Sequence, residues 1–241
     1  MASASSDKSV QIWDTKDWSC VIKYNQHKSS VYGLEYISND TMSSGSHDKT
    51  IHIWSITTGK TIRTIFVDFT VLALELLPNK YLASGGSSKM IQMWNVQTGE
   101  LVKTLSGHID DITDLTLVNK TLLASSSLDE TIRLWDLDRL ISINVLKGHN
   151  SSVFGLKRLS SNFLASSSWD RTIRIWDIAS GVTIKTFIGH TDSIYWSIDM
   201  LNESILVSGS RDKTIRFWEI STGKLIETIT VNFEMLSLKV I

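Results

Sequence analysis

A histidine, a serine, an aspartate and a tryptophan recur together along this chain at fixed distances, except that one extra residue separates His190 from Asp212. In each complete set the serine stands four residues before the aspartate, and the tryptophan stands six residues after it. Hydroxyl, imidazole and carboxylate groups are the components of a nucleophilic triad. With an indole N–H added, they can also form a chain of hydrogen-bond donors and acceptors. The complete sets are His27, Ser44, Asp48 and Trp54; His108, Ser125, Asp129 and Trp135; His149, Ser166, Asp170 and Trp176; and His190, Ser208, Asp212 and Trp218.

The repetition of the set favours a structural role over catalysis. A catalyst has no need of four identical sites, and a nucleophilic serine must be exposed beside an oxyanion hole. These serines are predicted to lie in the middle of strands, next to a tryptophan. We therefore expect hydrogen-bonded networks inside the fold and no enzymatic activity.

The sequence offers no ligand set for a metal or a cofactor. It has a single cysteine and no His-x-x-x-His motif, and four of its six histidines belong to the repeated sets. Zinc and the other metals that bind nitrogen or sulfur need several such side chains together. We therefore expect neither a metal site nor a cofactor.

Six tryptophans set the period of the chain, with gaps of 41, 40, 41, 41 and 42 residues. Each unit divides into four short segments that are rich in β-branched residues and separated by polar turn residues, a pattern typical of strands. In the fourth unit the predicted strands are Ile112–Val118, Leu122–Ser126, Thr131–Asp136 and Ile143–Leu146. The six tryptophans are Trp13, Trp54, Trp94, Trp135, Trp176 and Trp218.

This period predicts an all-β propeller with six blades of four antiparallel strands in a single domain, because sheets of this size bury their faces by stacking against each other. The chain starts inside the second strand of a unit, and Leu236–Val240 resembles a first strand. We therefore expect the C-terminal strand to complete the first blade; a seven-bladed parent lacking one repeat stays an alternative. The predicted blades are 1–24 with 232–241, 29–65, 69–105, 110–146, 151–187 and 192–229.

The repeated motifs resemble those of the WD40-repeat family. The Gly-His pairs include Gly107-His108 and Gly148-His149, and the Trp-Asp pairs are Trp135-Asp136 and Trp176-Asp177. The resemblance implies that each His, Ser, Asp and Trp set forms a network inside its blade. It also implies a role in protein interaction, since WD40 propellers commonly bind partners at their top face.

Two repeats depart from the pattern. In the third, Ser88 replaces the aspartate and Val67-Asp68 replaces Gly-His; in the first, Val231-Asn232 stands where Gly-His is expected. We predict that packing contributes more than polar networks to the stability of these two blades.

Composition limits the classes of partner. The chain has 24 Lys and Arg against 25 Asp and Glu, so its net charge does not favour nucleic acid or an anionic membrane. A single cysteine, Cys20, is typical of a reducing compartment. No apolar run approaches the length of a membrane span. We therefore expect an intracellular protein, cytoplasmic or nuclear, of unknown oligomeric state.

Comparison between the repeats identifies candidate recognition positions. The residue before the turn aspartate changes at every repeat while its neighbours barely change, and a second variable position lies near the start of the innermost strand. The WD40 resemblance implies that both positions line the top surface. Aromatic residues and arginine are frequent at binding hot spots. The candidates are Tyr32, His47, Phe154, Trp169, Tyr195 and Arg211.

The leading functional prediction is a non-enzymatic scaffold that binds a peptide or protein segment near the fifth and sixth blades. An alternative is the substrate-recognition propeller of a larger assembly, such as a ubiquitin-ligase adaptor, because the units are somewhat similar to the propellers of F-box substrate receptors. Of the arginines that read phosphorylated degrons in those receptors, only Arg211 is matched. A third possibility is an enzyme with a site in the central channel.

Overall fold

The structure, a computed structural model, describes residues 1–238. These residues form antiparallel sheets joined by short turns, in two compact units whose boundary falls between Leu115 and Thr116. One short 3-10 turn, Pro78–Lys80, is the only helical element in the described range.

Three sheets lie entirely within the first unit. The first sheet has three strands in the order β1-β2-β3, and the other two have four strands each in sequential order. Their strands are β1 (Ala2–Ala4), β2 (Val10–Trp13) and β3 (Cys20–Tyr24); β4 (Val31–Ser38), β5 (Thr41–Ser46), β6 (Thr50–Ser55) and β7 (Thr61–Phe66); and β8 (Val71–Leu77), β9 (Tyr81–Gly86), β10 (Met90–Asn95) and β11 (Leu101–Ser106).

The second unit continues the pattern with four-stranded sheets, also in sequential order. The unit boundary falls within β12, the first strand of the fourth sheet. The strands are β12 (Ile112–Asn119), β13 (Leu122–Ser127), β14 (Ile132–Asp136) and β15 (Ile141–Leu146); β16 (Val153–Arg158), β17 (Phe163–Ser168), β18 (Thr172–Asp177) and β19 (Thr183–Ile188); and β20 (Ile198–Asn202), β21 (Ile205–Gly209), β22 (Thr214–Glu219) and β23 (Leu225–Thr230).

These sheets confirm the predicted fold class, an all-β, six-bladed propeller type in which each sheet is a blade. The four strands predicted for the fourth repeat are present, with ends that differ by at most two residues. In every sheet the register shifts at the tryptophan, where its strand pairs with the next one. Such bulges increase the local twist of a sheet.

The glycines after the tryptophan strands close tight turns. Gly181 has a φ of 74°, and its N–H donates to the carbonyl of Asp177 at 2.8 Å. Glycine adopts this left-handed conformation at no steric cost. The turn thereby sets where β18 ends and β19 begins.

Apolar residues from consecutive sheets form the cores within each unit. In the second unit, Ile173 and Phe187 of the fifth sheet pack in one cluster with Leu206 and Trp218 of the sixth. All four side chains are buried. The repeat tryptophan therefore serves as the large apolar group that covers the neighbouring sheet.

The predicted closing strand lies partly outside the described residues, since 239–241 are not among them. In the described part, Ser237 forms an isolated parallel bridge with Trp196, a pairing that the sequence did not indicate. Completion of the first blade by residues 232–241 and the single-domain boundaries therefore stay predictions.

Candidate functional site

The fifth repeat contains a continuous hydrogen-bonded chain. His149 lies with Nδ1 2.7 Å from Asp170 Oδ2 and with Nε2 2.7 Å from Ser166 Oγ, and Trp176 Nε1 donates to that same Oγ at 2.8 Å. Ser166 is fully buried, and His149 and Trp176 are at most 5% exposed. In the sixth repeat His190, Asp212, Ser208 and Trp218 repeat the arrangement, each contact being 2.8 Å.

Proton positions in this chain follow from the chemistry of its groups. Burial lowers the pKa of both His149 and His190, although the adjacent aspartates oppose that shift. A neutral imidazole has one donor and one acceptor nitrogen, and a carboxylate only accepts. Nδ1–H therefore donates to the aspartate, while the serine hydroxyl donates to Nε2 and accepts the indole N–H.

The aspartate has a second role at the turn. Asp212 Oδ1 accepts hydrogen bonds from the backbone N–H of Thr214 at 2.9 Å and from its hydroxyl at 2.6 Å. Burial alone would raise the pKa of Asp212, but hydrogen bonds from Thr214, Thr191 and His190 lower it to about 2. The carboxylate is thus ionised at neutral pH and joins the turn between β21 and β22 to the loop that precedes the sheet.

The Ser-His-Asp order is that of a nucleophilic triad, but the surroundings differ. A serine nucleophile needs an approachable oxygen and donors placed for an oxyanion. Ser166 Oγ is buried in β17 and already accepts the indole N–H of Trp176. A substrate could reach it only by opening the sheet.

The second repeat departs from the expected network at its tryptophan. His27 contacts Asp48 at 3.0 Å and Ser44 at 2.8 Å as in the other sets. Among the described residues, however, none accepts the buried indole N–H of Trp54, so the expected bond to Ser44 is not formed. The indole instead stacks on Tyr24, with ring centroids 4.5 Å apart and planes 8° apart.

A buried pair of histidines accompanies this departure. His52 occupies the position where the fourth, fifth and sixth repeats have an arginine. Its ring stacks on His27 at a centroid distance of 4.1 Å, and its Nδ1 lies 2.7 Å from the Tyr24 hydroxyl. Burial raises the pKa of Tyr24 to about 12, whereas burial and the charge of a protonated His27 lower the pKa of His52 to about 4. Both groups are therefore neutral at pH 7.

The tryptophan–serine bond of the network also occurs in the fourth, first and third repeats. In the fourth, Trp135 donates to Ser125 at 2.8 Å and His108 is buried; His108 belongs to the first unit, and Asp129 to the second. In the first and third, the same indole bond joins Trp13 to Ser3 and Trp94 to Ser84, each at 2.8 Å. Their greater reliance on packing stays a prediction.

An aromatic cluster of four side chains lies in the second unit: Phe154, Trp169, Tyr195 and Trp196. Phe154 is central, with ring centroids 4.9 Å from Trp169, 4.8 Å from Tyr195 and 5.1 Å from Trp196. Phe154 is 5% exposed, whereas Trp169 is 40% exposed. The cluster therefore has a buried base and an exposed indole.

One extra residue in the sixth repeat shapes this cluster. The equivalent strand β16 is continuous from Val153, but β20 begins only at Ile198, so Tyr195 precedes the strand that was expected to contain it. The backbone there is held by Ser167 Oγ, which donates to the Tyr195 carbonyl at 2.5 Å. The insertion places Trp196 against Phe154, a contact that repeat spacing alone did not predict.

Arg211 occupies in the sixth repeat the position of Trp169 in the fifth. Its Nε donates to Glu234 Oε2 at 2.8 Å, and both side chains are substantially exposed. The hydrogen bond and charge of Glu234 raise the pKa of Arg211. Sequence reasoning missed Glu234, although it occupies the position of Ser193 and Ser152 in the preceding repeats and differs from them in charge.

The other two candidates lie in the first unit. Tyr32 is on β4 with 42% of its surface exposed, and His47 is exposed at the turn between β5 and β6. The structure thus joins Phe154, Trp169 and Tyr195 in direct contact and places Arg211 on the same unit.

The described residues contain neither a metal-binding cluster nor a membrane-spanning helix. No group of three or more histidine, cysteine, aspartate or glutamate side chains is placed to hold a metal ion within residues 1–238. In the same range, no helix has the length and apolar character required to cross a bilayer.

Comparison with known proteins identifies the family. The model of the WD40 family, described as WD domain, G-beta repeat, matches residues 18–55, 99–136, 141–177 and 181–219, which together exceed half of the chain. The chain therefore belongs to the WD40-repeat family. Proteins of this family are generally protein-interaction modules.

Three relatives show local similarity. The chain is 39% identical over 67 residues to Protein SPA1-RELATED 3 of Arabidopsis thaliana, 36% over 81 residues to CCR4-associated factor 4 homolog of Candida glabrata, and 28% over 65 residues to F-box/WD repeat-containing protein sel-10 of Caenorhabditis elegans. The matches cover 27%, 30% and 27% of this chain and only 8%, 14% and 11% of the respective relatives.

Proposed function

We propose that this chain is a non-enzymatic interaction module that binds a peptide or protein segment on the aromatic cluster. The observation that carries the proposal is the stacking of the exposed Trp169 indole on the buried Phe154 ring. A side chain held in this way loses little conformational freedom when a partner binds, which lowers the cost of association. Tryptophan is also among the residue types most enriched at hot spots.

The exposed part of Trp169 is large enough to anchor a partner. Tryptophan buries up to about 250 Å², so the 40% that remains exposed corresponds to roughly 100 Å². At about 25 cal/mol per Å², covering this surface contributes about 2.5 kcal/mol. Arg211 and Glu234 form a charged edge that orients the partner in this proposal, because exposed ion pairs contribute more to specificity than to affinity.

The burial of the serine sets supports the non-enzymatic part of the proposal. Ser166 and Ser208 are fully buried and accept indole N–H groups, so neither presents a nucleophile. The balanced charge of the chain supports a protein or peptide partner over nucleic acid or membrane, and its single cysteine supports an intracellular location.

Peptide selection tests the proposal directly. A random-peptide display library is selected on the immobilised protein, and the affinity of the selected peptides is measured by calorimetry. We expect Trp169→Ala to weaken binding by at least about tenfold, equivalent to about 1.4 kcal/mol. Trp18→Ala is the matched control, because Trp18 is also exposed and lies in the first unit. Equal loss in both variants, or none in either, contradicts the proposal.

A second candidate is substrate recognition within a larger assembly such as a ubiquitin ligase. It is favoured by the similarity to an F-box/WD repeat-containing protein and by Arg211 at a recognition position. A single arginine that already contacts Glu234 offers limited capacity for a phosphate. Binding of phosphorylated over unphosphorylated versions of the selected peptides, lost in Arg211→Gln, would favour this candidate.

A further inference from the structure

A groove, here called the second-unit groove, lies between the fifth and sixth sheets, within the second unit. Its volume is about 320 Å³, near the lower end of the range of about 300–1,000 Å³ that is typical of ligand pockets. Its floor is apolar and consists of Leu159, Phe163 and Ile175 of the fifth repeat and Ile220 of the sixth. Leu159, Phe163 and Ile220 pack against the core cluster of these sheets and are only partly buried. The groove is therefore an opening onto the core of the second unit.

Two charged residues, Lys185 and Glu203, stand at the rim of the second-unit groove. Lys185 Nζ donates to the carbonyl of Ile220 at 3.0 Å and also to that of Ser221. These two carbonyl acceptors offset the charge of the ammonium group and join β19 to the turn after β22. Glu203 is exposed in the turn between β20 and β21, and it supplies a carboxylate to the same rim.

An equivalent groove, the first-unit groove, lies between the second and third sheets, within the first unit. Its volume is about 330 Å³. Ile53 and Ile62 occupy in it the repeat positions that Ile175 and Ile184 occupy in the second-unit groove. Because volume and lining agree at two junctions, the groove is a property of the repeat and not of one local irregularity.

The two grooves differ in the charge of their rims. Arg63 takes the place of Lys185 and likewise donates to a backbone carbonyl, that of Thr98, at 2.8 Å. The turn between β8 and β9, however, supplies Lys80 where the turn between β20 and β21 supplies Glu203. The lining of the first-unit groove therefore includes two cations, whereas that of the second-unit groove includes one cation and one carboxylate.

We propose that the second-unit groove binds one large apolar side chain of a partner segment, with a lysine or arginine beside that side chain in the partner sequence. The apolar floor holds the anchor, because removing apolar surface from water drives association. The carboxylate of Glu203 attracts the basic neighbour, and charge complementarity of this kind selects a partner and its orientation. The first-unit groove disfavours the same segment, because Lys80 repels its basic residue.

This groove is separate from the aromatic cluster. Phe154 is the second residue of β16, whereas Leu159 follows the end of that strand. A strand rises about 3.3 Å per residue, so these two residues lie roughly 16 Å apart along the sheet. The groove is therefore a second contact site at the opposite edge of the fifth sheet, and it does not depend on binding at the cluster.

Methyl NMR of the full chain, labelled at isoleucine Cδ1 and titrated with two pentapeptides, tests the proposal. The probes are Gly-Lys-Phe-Lys-Gly and Gly-Glu-Phe-Glu-Gly, each acetylated and amidated at its ends. Ile184 and Ile220 report on the second-unit groove, and Ile53 and Ile62 report on the first-unit groove. We expect the lysine peptide to shift the Ile184 and Ile220 signals saturably, and to bind the first-unit groove at least about threefold more weakly.

Charge variants at the two rims supply matched comparisons. Glu203→Lys is expected to weaken binding of the lysine peptide at the second-unit groove at least about threefold, because its rim then resembles that of the first-unit groove. Lys80→Glu is expected to strengthen binding at the first-unit groove by a similar factor. Both residues are exposed in turns, so these substitutions leave the core of each unit unchanged.

Three results overturn the proposal. Absence of a saturable shift at Ile184 and Ile220 means that the second-unit groove accepts no such anchor. Equal affinity of wild type and Glu203→Lys for the lysine peptide, or no preference of wild type for that peptide, means that Glu203 does not select the partner. Shifts of the same signals with protein concentration alone mean that a second copy of the chain occupies the groove.

Discussion

Trp176 donates its indole N–H to Ser166 Oγ at 2.8 Å, and the same oxygen lies 2.7 Å from Nε2 of His149. The serine is therefore engaged both as donor and as acceptor in the middle of β17. Its role is to connect the tryptophan strand to the loop before β16. A group of residues that resembles a hydrolase triad in sequence thus lies inside a blade.

Loss of the histidine from a complete network should be costly. His149→Ala leaves the buried Ser166 hydroxyl without its acceptor and removes one donor from Asp170, and a buried group that loses its partner costs about 1–3 kcal/mol. We expect the free energy of unfolding in urea to fall by about 2–3 kcal/mol. Asp68→Ala, at an exposed site in the loop before the third sheet, is the control and should change it by less than about 0.5 kcal/mol. Equal decreases in the free energy of unfolding for His149→Ala and Asp68→Ala would contradict a stabilising role for the network.

The unpartnered indole of Trp54 gives a second prediction. Trp54→Phe removes no hydrogen bond, because none of the described residues accepts that N–H, whereas Trp176→Phe removes the bond to Ser166. Both residues are buried and occupy the same repeat position. We expect Trp176→Phe to be more destabilising by about 1 kcal/mol, the net value of one hydrogen bond. Thermal and urea unfolding of the two variants measure the difference, and the reverse order would contradict it.

The buried histidine pair predicts acid sensitivity. The pKa of His52 falls from 6.5 to about 4 on folding, first because of burial and then because of the charge of His27. The unfolded chain therefore binds more protons between these values, and stability decreases as the pH falls from 6.5 towards 4. The loss is on the order of 1 kcal/mol.

Urea unfolding at several pH values, with two histidine variants, measures this effect. His52→Gln should flatten the dependence below pH 6.5, while His47→Gln, at an exposed turn, should leave it unchanged. A wild-type stability that rises on acidification, or an unchanged slope in His52→Gln, would contradict the assignment.

The fold was predictable from the sequence because six copies of the repeat can be compared with one another. The tryptophan period located the strands of the fourth sheet to within two residues, and strand pairing follows from alternation and turns. The complete sets predicted which side chains meet in the fifth and sixth repeats, since equivalent strands give the same geometry although one extra residue separates His190 from Ser208.

The sequence was less informative where a residue departs from the repeat. Trp196 is an insertion, so its contact with Phe154 had no equivalent to copy. Tyr24 and His52 come from different sheets and share a hydrogen bond, and Tyr24 stacks on Trp54, whose expected bond to Ser44 is not formed. Such packing between sheets is not encoded in the spacing of the repeats. The contact between Arg211 and Glu234 joins positions 23 residues apart, and only the structure brings them together.

Hydroxyl-radical footprinting of Trp169 tests the central claim most directly, that the aromatic cluster is the recognition surface. The oxidation rate of Trp169 is measured with and without a peptide selected on the wild-type protein, and Trp18 serves as the internal reference. Because the indole of Trp169 is 40% exposed, we predict that bound peptide slows its oxidation severalfold while that of Trp18 stays constant. Unchanged oxidation of Trp169 at saturating peptide would contradict the account.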